Sequence, residues 1–154
     1  MIAIIGCGNP NRSDDGAGPA VIRLLRERQR WSERVKLLDA GTDGMAVMFA
    51  ARDSVSLILV DASRTGAAAG TLFEVPGAEL ERPHRPGLNL HDFRWEHALD
   101  AGRRLFGTAF PADVTVLLIE AESVALGVEL SPPVAAAVGR AADRIDELIQ
   151  QRLA

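Results

Sequence analysis

The amino-acid sequence predicts an α/β fold, a three-layer α/β/α sandwich around a mostly parallel five-stranded sheet with one antiparallel strand near an edge. Apolar runs typical of strands buried on both faces alternate with segments of helical periodicity. One strand-like segment follows the previous strand after only about ten residues, too few for a helical crossover, which predicts the antiparallel strand. At 154 residues the chain is long enough to bury its own core, so we predict a single domain over residues 1–154.

The first half of the chain alternates between strands and helices. Continuous apolar runs predict buried strands, and apolar residues that recur on one face with arginines opposite predict the first helix. A shorter apolar segment between two glycine-containing turns predicts a second helix. In order, the predicted elements are a strand over 2–6, a helix over 19–30, a strand over 35–38 that ends at 39–41, a helix over 44–51 and a strand over 55–60.

The second half begins with the alternating segment 71–75, the predicted antiparallel edge strand. The Pro- and Gly-rich residues 76–90 predict a long loop, and loops of this length are often functional. A helix over 92–106 and a buried strand over 114–119 follow. Ser131 at an N-cap, with prolines in the first turn, predicts a last helix that runs to about residue 151.

The composition excludes several classes of partner. A net charge of -4 and an isoelectric point near 5.4 argue against a nucleic-acid partner. The apolar runs are too short to span a bilayer, so we expect no membrane partner. The single cysteine, Cys7, excludes an internal disulfide, fits a reducing compartment and is expected to be a small buried hydrophobe. With no signal peptide apparent, we predict a cytoplasmic protein.

Three potential metal ligands lie just past predicted strand or loop ends. Asp15 follows the first strand, Asp61 ends the third strand, and His91 opens a helical segment after the long loop. In a parallel α/β sheet such positions meet at the carboxyl edge, where these folds bind ligands. Two carboxylates and one imidazole would form an open site for a divalent transition metal.

The first loop, residues 6–18, favours neither of two familiar alternatives. A dinucleotide fingerprint requires a third glycine where this chain has Asn11, and the carboxylates of Asp14 and Asp15 would repel a phosphate. The segment 6–10 resembles the opening of the peptidyl-tRNA hydrolases. That family has its catalytic histidine soon after this segment, whereas in this chain no histidine precedes His84.

The chain as a whole resembles another family, the nickel–iron hydrogenase maturation endopeptidases, which trim the C-terminal tail of the hydrogenase large subunit. The resemblance covers nearly the whole chain and holds in order and spacing. It rests on Gly8-Asn9 followed by 14–19, on 39–45, on 57–62, on 70–72, on His91-Asp92 and on 127–134. One departure precedes the histidine: Asn89-Leu90 stands where a small hydroxyl residue is expected nearby.

The resemblance implies a site and a reaction. It assigns metal binding and catalysis to Asp15, Asp61 and His91. It implies that the metal is nickel, supplied by the precursor that is the protein's partner, and that other divalent metals can occupy the site in vitro. Substrate binding is assigned to the loop after the second strand, that is, to Gly41, Thr42, Asp43 and Gly44.

We therefore predict an endopeptidase that removes the C-terminal extension of a nickel-loaded hydrogenase large-subunit precursor. No Ser-His-Asp or Cys-His pairing is apparent, so metal-activated water or a metal-polarised carbonyl would replace an acyl intermediate. A non-catalytic metal-sensing chaperone for the same precursor is the alternative. A peptidyl-tRNA hydrolase-like esterase is a more remote one.

The remaining polar and aromatic candidates have simpler expected roles. We expect Asp14 to cap a helix start and His84 to be solvated. His97 should lie on a different helix face from His91. We expect Glu120 and Glu122 to be exposed loop carboxylates, and we expect Trp31 and Trp95 to be packing residues.

Overall fold

The computed structural model describes residues 1–31, 33–85, 89 and 92–154, and it has the predicted α/β architecture. The strands are β1 (Ile2–Cys7), β2 (Val35–Gly41), β3 (Ser56–Ser63), β4 (Leu72–Pro76) and β5 (Asp113–Glu120). The helices are α1 (Ala17–Arg28), α2 (Gly44–Ala51), α3 (Trp95–Phe106) and α4 (Pro132–Leu153). The strand order is β2-β1-β3-β5-β4, and only the edge strand β4 is antiparallel to its neighbour.

The central strands contain continuous apolar runs because helices cover both faces of the sheet. In β1, Ile2 and Ile4 pack into a core with α1 and α4, whereas Ala3 and Ile5 pack into a second core with α2 and α3. Each fully buried isoleucine contributes about 2 kcal/mol to stability relative to an exposed one. The two cores fix the register in which β1, β2 and β3 end together at the carboxyl edge of the sheet.

The edge strand β4 differs from the central strands in its composition. Its residues are partly buried or exposed, and it ends at Pro76, which has no backbone N–H to donate. Glu74 on this strand forms an ion pair with Arg144 of α4 at 2.6 Å. The predicted antiparallel edge strand is confirmed, displaced by one residue along the chain.

The predicted helices are present, and all except α2 have shifted ends. Helix α1 begins at Ala17, two residues before the predicted start at 19, and α3 begins at Trp95 rather than at 92. Within the long loop, Gly77–Glu79 form a 3₁₀ turn, while residues 86–88 and 90 lie outside the described part of the chain. Among the helices that the structure describes, none is long and apolar enough to cross a membrane.

Candidate active site

A cleft of about 410 Å³ opens at the carboxyl edge of the sheet. The ends of β1, β2 and β3 with their following loops, and the start of α3, form its walls. Two predicted metal ligands, Asp15 and Asp61, line it, as do all four residues of the predicted substrate loop, 41–44. The structure thus brings together predicted site residues from three separate segments. The other lining residues are Cys7, Gly8, Val47, Asp92, Arg94 and Trp95.

Asp15 is held in place by the loop after β1. It lies in a 3₁₀ turn, Ser13–Gly16, and its Oδ2 accepts a hydrogen bond from the backbone N–H of Asn9 at 2.8 Å. Gly8 separates this turn from Asp61. At its φ of +132°, a Cβ on Gly8 would stand 1.9 Å from the Asp15 carbonyl oxygen and 3.5 Å from Asp61 Oδ1. Only glycine therefore fits between the two acids.

Asp61 is a buried acid at the end of β3, with only 4% of its surface exposed. Its Oδ1 accepts a hydrogen bond from the backbone N–H of Ala62, and its Oδ2 accepts one from the indole N–H of Trp95, both at 2.8 Å. Burial raises the pKa of Asp61 to about 7; the Asp15 carboxylate adds to the rise, while these hydrogen bonds oppose it. A cation bound in the cleft would offset the cost of burying this charge.

Trp95 and Arg94 contribute to the cleft in ways that the sequence did not reveal. Trp95 is a packing residue, as predicted, but it also donates the hydrogen bond to Asp61. Arg94 is mostly exposed, and its guanidinium lies 3.8 Å from Asp61 Oδ2 and 3.7 Å from Glu96. No pattern in the sequence marks either residue, because their role depends on where α3 begins relative to β3.

The loop between β2 and α2 has a rigid geometry. Asp43 caps α2: its Oδ1 accepts hydrogen bonds from the backbone N–H groups of Met45 and Ala46 at 2.9 and 3.1 Å. A Cβ on Gly44 would lie 2.4 Å from the carbonyl oxygen of Phe93, so the start of α2 packs closely against the segment before α3. Gly41 accepts a hydrogen bond from Gly8 at 2.8 Å, which ties this loop to the Asp15 loop.

The third predicted ligand, His91, lies outside the described residues. Among the residues that are described, no three acids, histidines or cysteines are grouped so as to hold a metal ion. Asp92, which follows His91, lines the cleft. The donor set fits a divalent ion in one respect: two carboxylates face one space. One of them, Asp61, is buried, and in the described part of the chain its nearest cationic group is the Arg94 guanidinium at 3.8 Å.

The other two histidines lie outside the cleft lining. His97 accepts a hydrogen bond from the backbone N–H of Arg94 at 3.0 Å and thereby caps its own helix. The prediction that His84 is solvated is wrong. Its ring packs at 5.2 Å from that of Phe93 and 5.3 Å from that of His97. Its Nε2 is buried and has no hydrogen-bond partner among the residues that the structure describes.

Asp14, the neighbour of Asp15, does not cap a helix, and that prediction is wrong. Its buried carboxylate accepts hydrogen bonds from Ser131 through both N–H and hydroxyl, and from the N–H groups of Glu122 and Ser123. Burial alone would raise the pKa of Asp14, but these donors outweigh it and lower the pKa below its usual value. Asp14 therefore fastens the loop between β5 and α4, and Ser131 binds it instead of capping α4 with its side chain.

Two further predictions concern residues near the same edge. Glu122 is exposed as predicted, but Glu120 is buried and accepts hydrogen bonds from Ser63, Thr65 and Gly66.

Cys7 is buried as expected. Burial raises the pKa of the Cys7 thiol well above its usual value, and the negative charge of Asp61 adds to this, so the thiol stays protonated.

Comparison with protein families gives one match over most of the chain. The family model described as hydrogenase maturation protease matches residues 19–148. The matched range contains the second predicted ligand, Asp61, as well as residue 91 and the whole substrate loop.

Similar sequences include hydrogenase proteins from bacteria and archaea. The hydrogenase expression/formation protein HoxM of Azotobacter vinelandii is 31% identical over 137 residues, which are 88% of this chain and 65% of that protein. The chain thus spans just under two thirds of that relative's length. The delta subunit of coenzyme F420 hydrogenase from Methanothermobacter thermautotrophicus is 31% identical over 96% of this chain and 94% of its own length.

The fold also matches a solved structure closely. The hydrogenase maturating endopeptidase HybD from E. coli superposes with a TM-score of 0.84 and 25% identity, over 99% of this chain and 93% of that one. Sequence and fold comparisons therefore point to the same group of proteins.

Proposed function

This chain belongs to the hydrogenase maturation protease family, and on that premise we propose that it is a metal-dependent endopeptidase. The proposed reaction removes the C-terminal extension of a nickel-loaded hydrogenase large-subunit precursor. The observation that carries the proposal is the cleft in which Asp15 and Asp61 face the loop 41–44. The single buried cysteine supports a reducing, cytoplasmic setting, and the predicted single domain over residues 1–154 is part of the same proposal.

The proposed roles follow from the position of each residue. Asp15, Asp61 and His91 bind the nickel carried by the precursor, and the loop residues Gly41, Thr42, Asp43 and Gly44 position its C-terminal tail. The location of the acids and the loop on one cleft supports these roles, whereas the role of His91 rests on the family resemblance. Nickel bound there would act as a Lewis acid beside the scissile peptide bond.

Asp61 has the properties that such a site requires. Its burial makes the carboxylate costly without a counter-cation, so a divalent ion in the cleft would be favoured over solvent. Trp95 and Ala62 fix the orientation of both Asp61 oxygens, so the group needs no rearrangement when the precursor arrives.

A second candidate function is a non-catalytic partner that binds the precursor without cutting it. The similarity to a protein named as a hydrogenase subunit, the delta subunit of coenzyme F420 hydrogenase, favours it. The same cleft would then sense nickel. The two functions differ in one measurable respect: a protease shortens the precursor, whereas a chaperone forms a stable complex with a precursor of unchanged mass.

The test is a processing assay with purified precursor, with and without nickel, read by mass spectrometry. We expect the wild-type chain to release a C-terminal peptide from the nickel-loaded precursor only. Asp61→Asn and His91→Ala should fold yet leave the precursor uncut. Asp143→Asn, an exposed acid on α4, and His84→Ala are the matched controls and should process normally. Normal processing by the first two variants would refute the ligand assignment.

A further inference from the structure

Strand β2 lies at one edge of the sheet and, among the described strands, pairs with β1 alone. The N–H of Ile2 donates to the carbonyl oxygen of Arg34, just before β2 begins, and the register of the pair is regular as far as residue 39. Along a parallel pair, alternate residues direct both their N–H and their C=O groups at the neighbouring strand. The even-numbered residues therefore bond to β1, and the backbone groups of Val35, Leu37 and Asp39 point away from the sheet.

The outward backbone groups of β2 are open to a further strand. In the described part of the chain no backbone group bonds to them, and a guanidinium nitrogen of Arg26 lies at 3.4 Å from the Leu37 carbonyl oxygen. Leu37 is half-buried and Asp39 is exposed, so another chain can reach this edge. A row of free N–H and C=O groups is satisfied by an extended backbone, which adds to the sheet as one more strand.

A cavity of about 410 Å³ lies beside this edge, between β2 and the helices α1 and α4. Val35, Leu37 and Trp31 form part of its apolar wall, and the exposed residues Arg26 and Arg30 also line it. Side chains of neighbouring strands stand beside one another on the same face of a sheet. A strand added to β2 would therefore place an apolar side chain in this cavity and could bring a carboxylate to the arginines.

The free edge of β2 is continuous with the cleft. Its last residue, Gly41, begins the loop that lines the cleft, and its carbonyl oxygen is bonded to Gly8. A peptide whose scissile bond lies in the cleft thus has this edge in its path. Of the described residues that line the cleft, none belongs to the other edge strand, β4, which also ends at Pro76.

We propose that the C-terminal extension of the precursor adds to the edge of β2 as an antiparallel strand, an inference that rests on the proposed function. The extension leaves the cleft at Gly41 and runs towards Val35, with one apolar side chain in the cavity and a carboxylate at Arg26. Residues 37–41 span roughly 13 Å, which about four residues of an extended peptide cover. Pairing through the backbone holds the extension straight beside the cleft, whatever its side chains are.

The first experiment uses the full chain and a synthetic peptide with the sequence of the extension. Nuclear magnetic resonance follows hydrogen exchange of each backbone amide. At saturating peptide, we expect the amides of Leu37 and Asp39 to exchange at least about tenfold more slowly. The amides of residues 36 and 38, which already bond to β1, and those of β4 should change little.

Three results of this experiment would overturn the inference. One is protection elsewhere with none on β2, and another is no binding of the peptide up to about 1 mM. The third is protection of Leu37 and Asp39 without peptide in a protein of dimeric mass, because a second copy of this chain would then cover the edge.

Peptides that are N-methylated at one residue each test the backbone pairing itself. Affinity should fall at alternate residues, since an antiparallel strand uses every second N–H towards one neighbour. Affinities without this alternation would mean that the peptide does not bind as a strand, and the inference would be wrong.

Arg26→Glu tests the charge contact in the processing assay. We expect KM for the nickel-loaded precursor to rise at least about threefold, with a smaller change in kcat. Arg23→Glu, on the same helix but outside the cavity lining, is the matched control and should keep the wild-type KM. Equal KM values for the two variants would overturn the placement of the extension. The proposed function fails separately, when the wild-type chain leaves the mass of the precursor unchanged, since the peptide experiments do not depend on cleavage.

Discussion

The indole N–H of Trp95 donates a hydrogen bond to Oδ2 of Asp61 at 2.8 Å, between two buried side chains that lie 34 positions apart in the sequence. The first residue of α3 is thereby joined to the end of β3. This contact sets the orientation of the acid that we propose as a nickel ligand.

Trp95→Phe should weaken metal binding as well as stability. It leaves a buried carboxylate oxygen without its donor, at a cost of about 1–3 kcal/mol, and the loss of an orienting contact typically lowers metal affinity about 10–100-fold. Urea unfolding and calorimetric nickel titration measure the two effects. Trp31→Phe is the matched control, because its indole donates to Asp146, on the α1–α4 side of the sheet. Trp31→Phe should lower the stability of the protein but leave its nickel affinity unchanged. Equal nickel affinities of Trp95→Phe and Trp31→Phe would contradict the role of Trp95.

Asp61→Asn should change how stability depends on pH. The pKa of Asp61 is raised to about 7 in the folded, metal-free protein, above its value of about 3.8 in the unfolded chain. The stabilising contribution of this group is therefore complete below pH about 4 and is lost as the pH rises through about 7. The wild type should lose up to about 4 kcal/mol relative to Asp61→Asn over that window. Urea unfolding with a chelator between pH 4.5 and 8 checks this, and a pH-independent difference would contradict it.

Asp14→Ala should destabilise the protein and release the loop between β5 and α4, residues 122–130. The variant leaves the donors of Ser131, Glu122 and Ser123 without their acceptor, which costs about 3–5 kcal/mol for a buried charged network. Because the pKa of Asp14 is lowered on folding, its contribution is present at neutral pH and is lost on acidification below its unfolded value.

Hydrogen exchange of residues 122–130 measures the release directly. Asp143→Ala, which removes an exposed partner of Arg28, is the control and should alter stability by less than about 1 kcal/mol. Slow exchange in residues 122–130 of Asp14→Ala would show that other contacts hold this loop.

Gly8→Ala should abolish processing. Its methyl group would stand 1.9 Å from the Asp15 carbonyl oxygen, so the Asp15 loop must move away from Asp61. Gly66→Ala is a matched control, since Gly66 also has a positive φ, of +89°, but nothing lies within 4 Å of the added methyl group. The control should lose only about 1–2 kcal/mol of stability from backbone strain and keep its activity. The processing assay separates the two, and an active Gly8→Ala would mean that the Asp15 position is not critical.

The sequence predicted the layers of the fold because its periodicity reports burial directly. Continuous apolar runs such as 2–5 in β1 and 57–60 in β3 occur where both faces of a strand are covered, and the sequence predicts helix α2 with its observed bounds. The position of Asp15 and Asp61 on one cleft followed from the rule that parallel strands end at one edge.

The rest of the site depends on contacts between distant segments, which periodicity does not encode. Asp14 and Asp15 are adjacent acids. Only the loop between β5 and α4, more than 100 residues later, distinguishes Asp14, which it binds, from Asp15, which lines the cleft. The position of Glu120 just after a predicted strand favours an exposed loop carboxylate, yet Thr65 and Gly66 fold over it. The role of Trp95 in the cleft could not be predicted either, because an aromatic residue at a helix start most often only packs in a core.

The contact between Trp95 and Asp61 gives the protein a spectroscopic reporter of its own. The chain has two tryptophans and no tyrosine, so its ultraviolet emission comes from Trp31 and Trp95 alone. Nickel, a paramagnetic ion, quenches an excited indole only at close range, and Trp95 is the indole that touches the cleft. In a Trp31→Phe background, the light emitted by one side chain would follow the arrival and departure of the metal in real time.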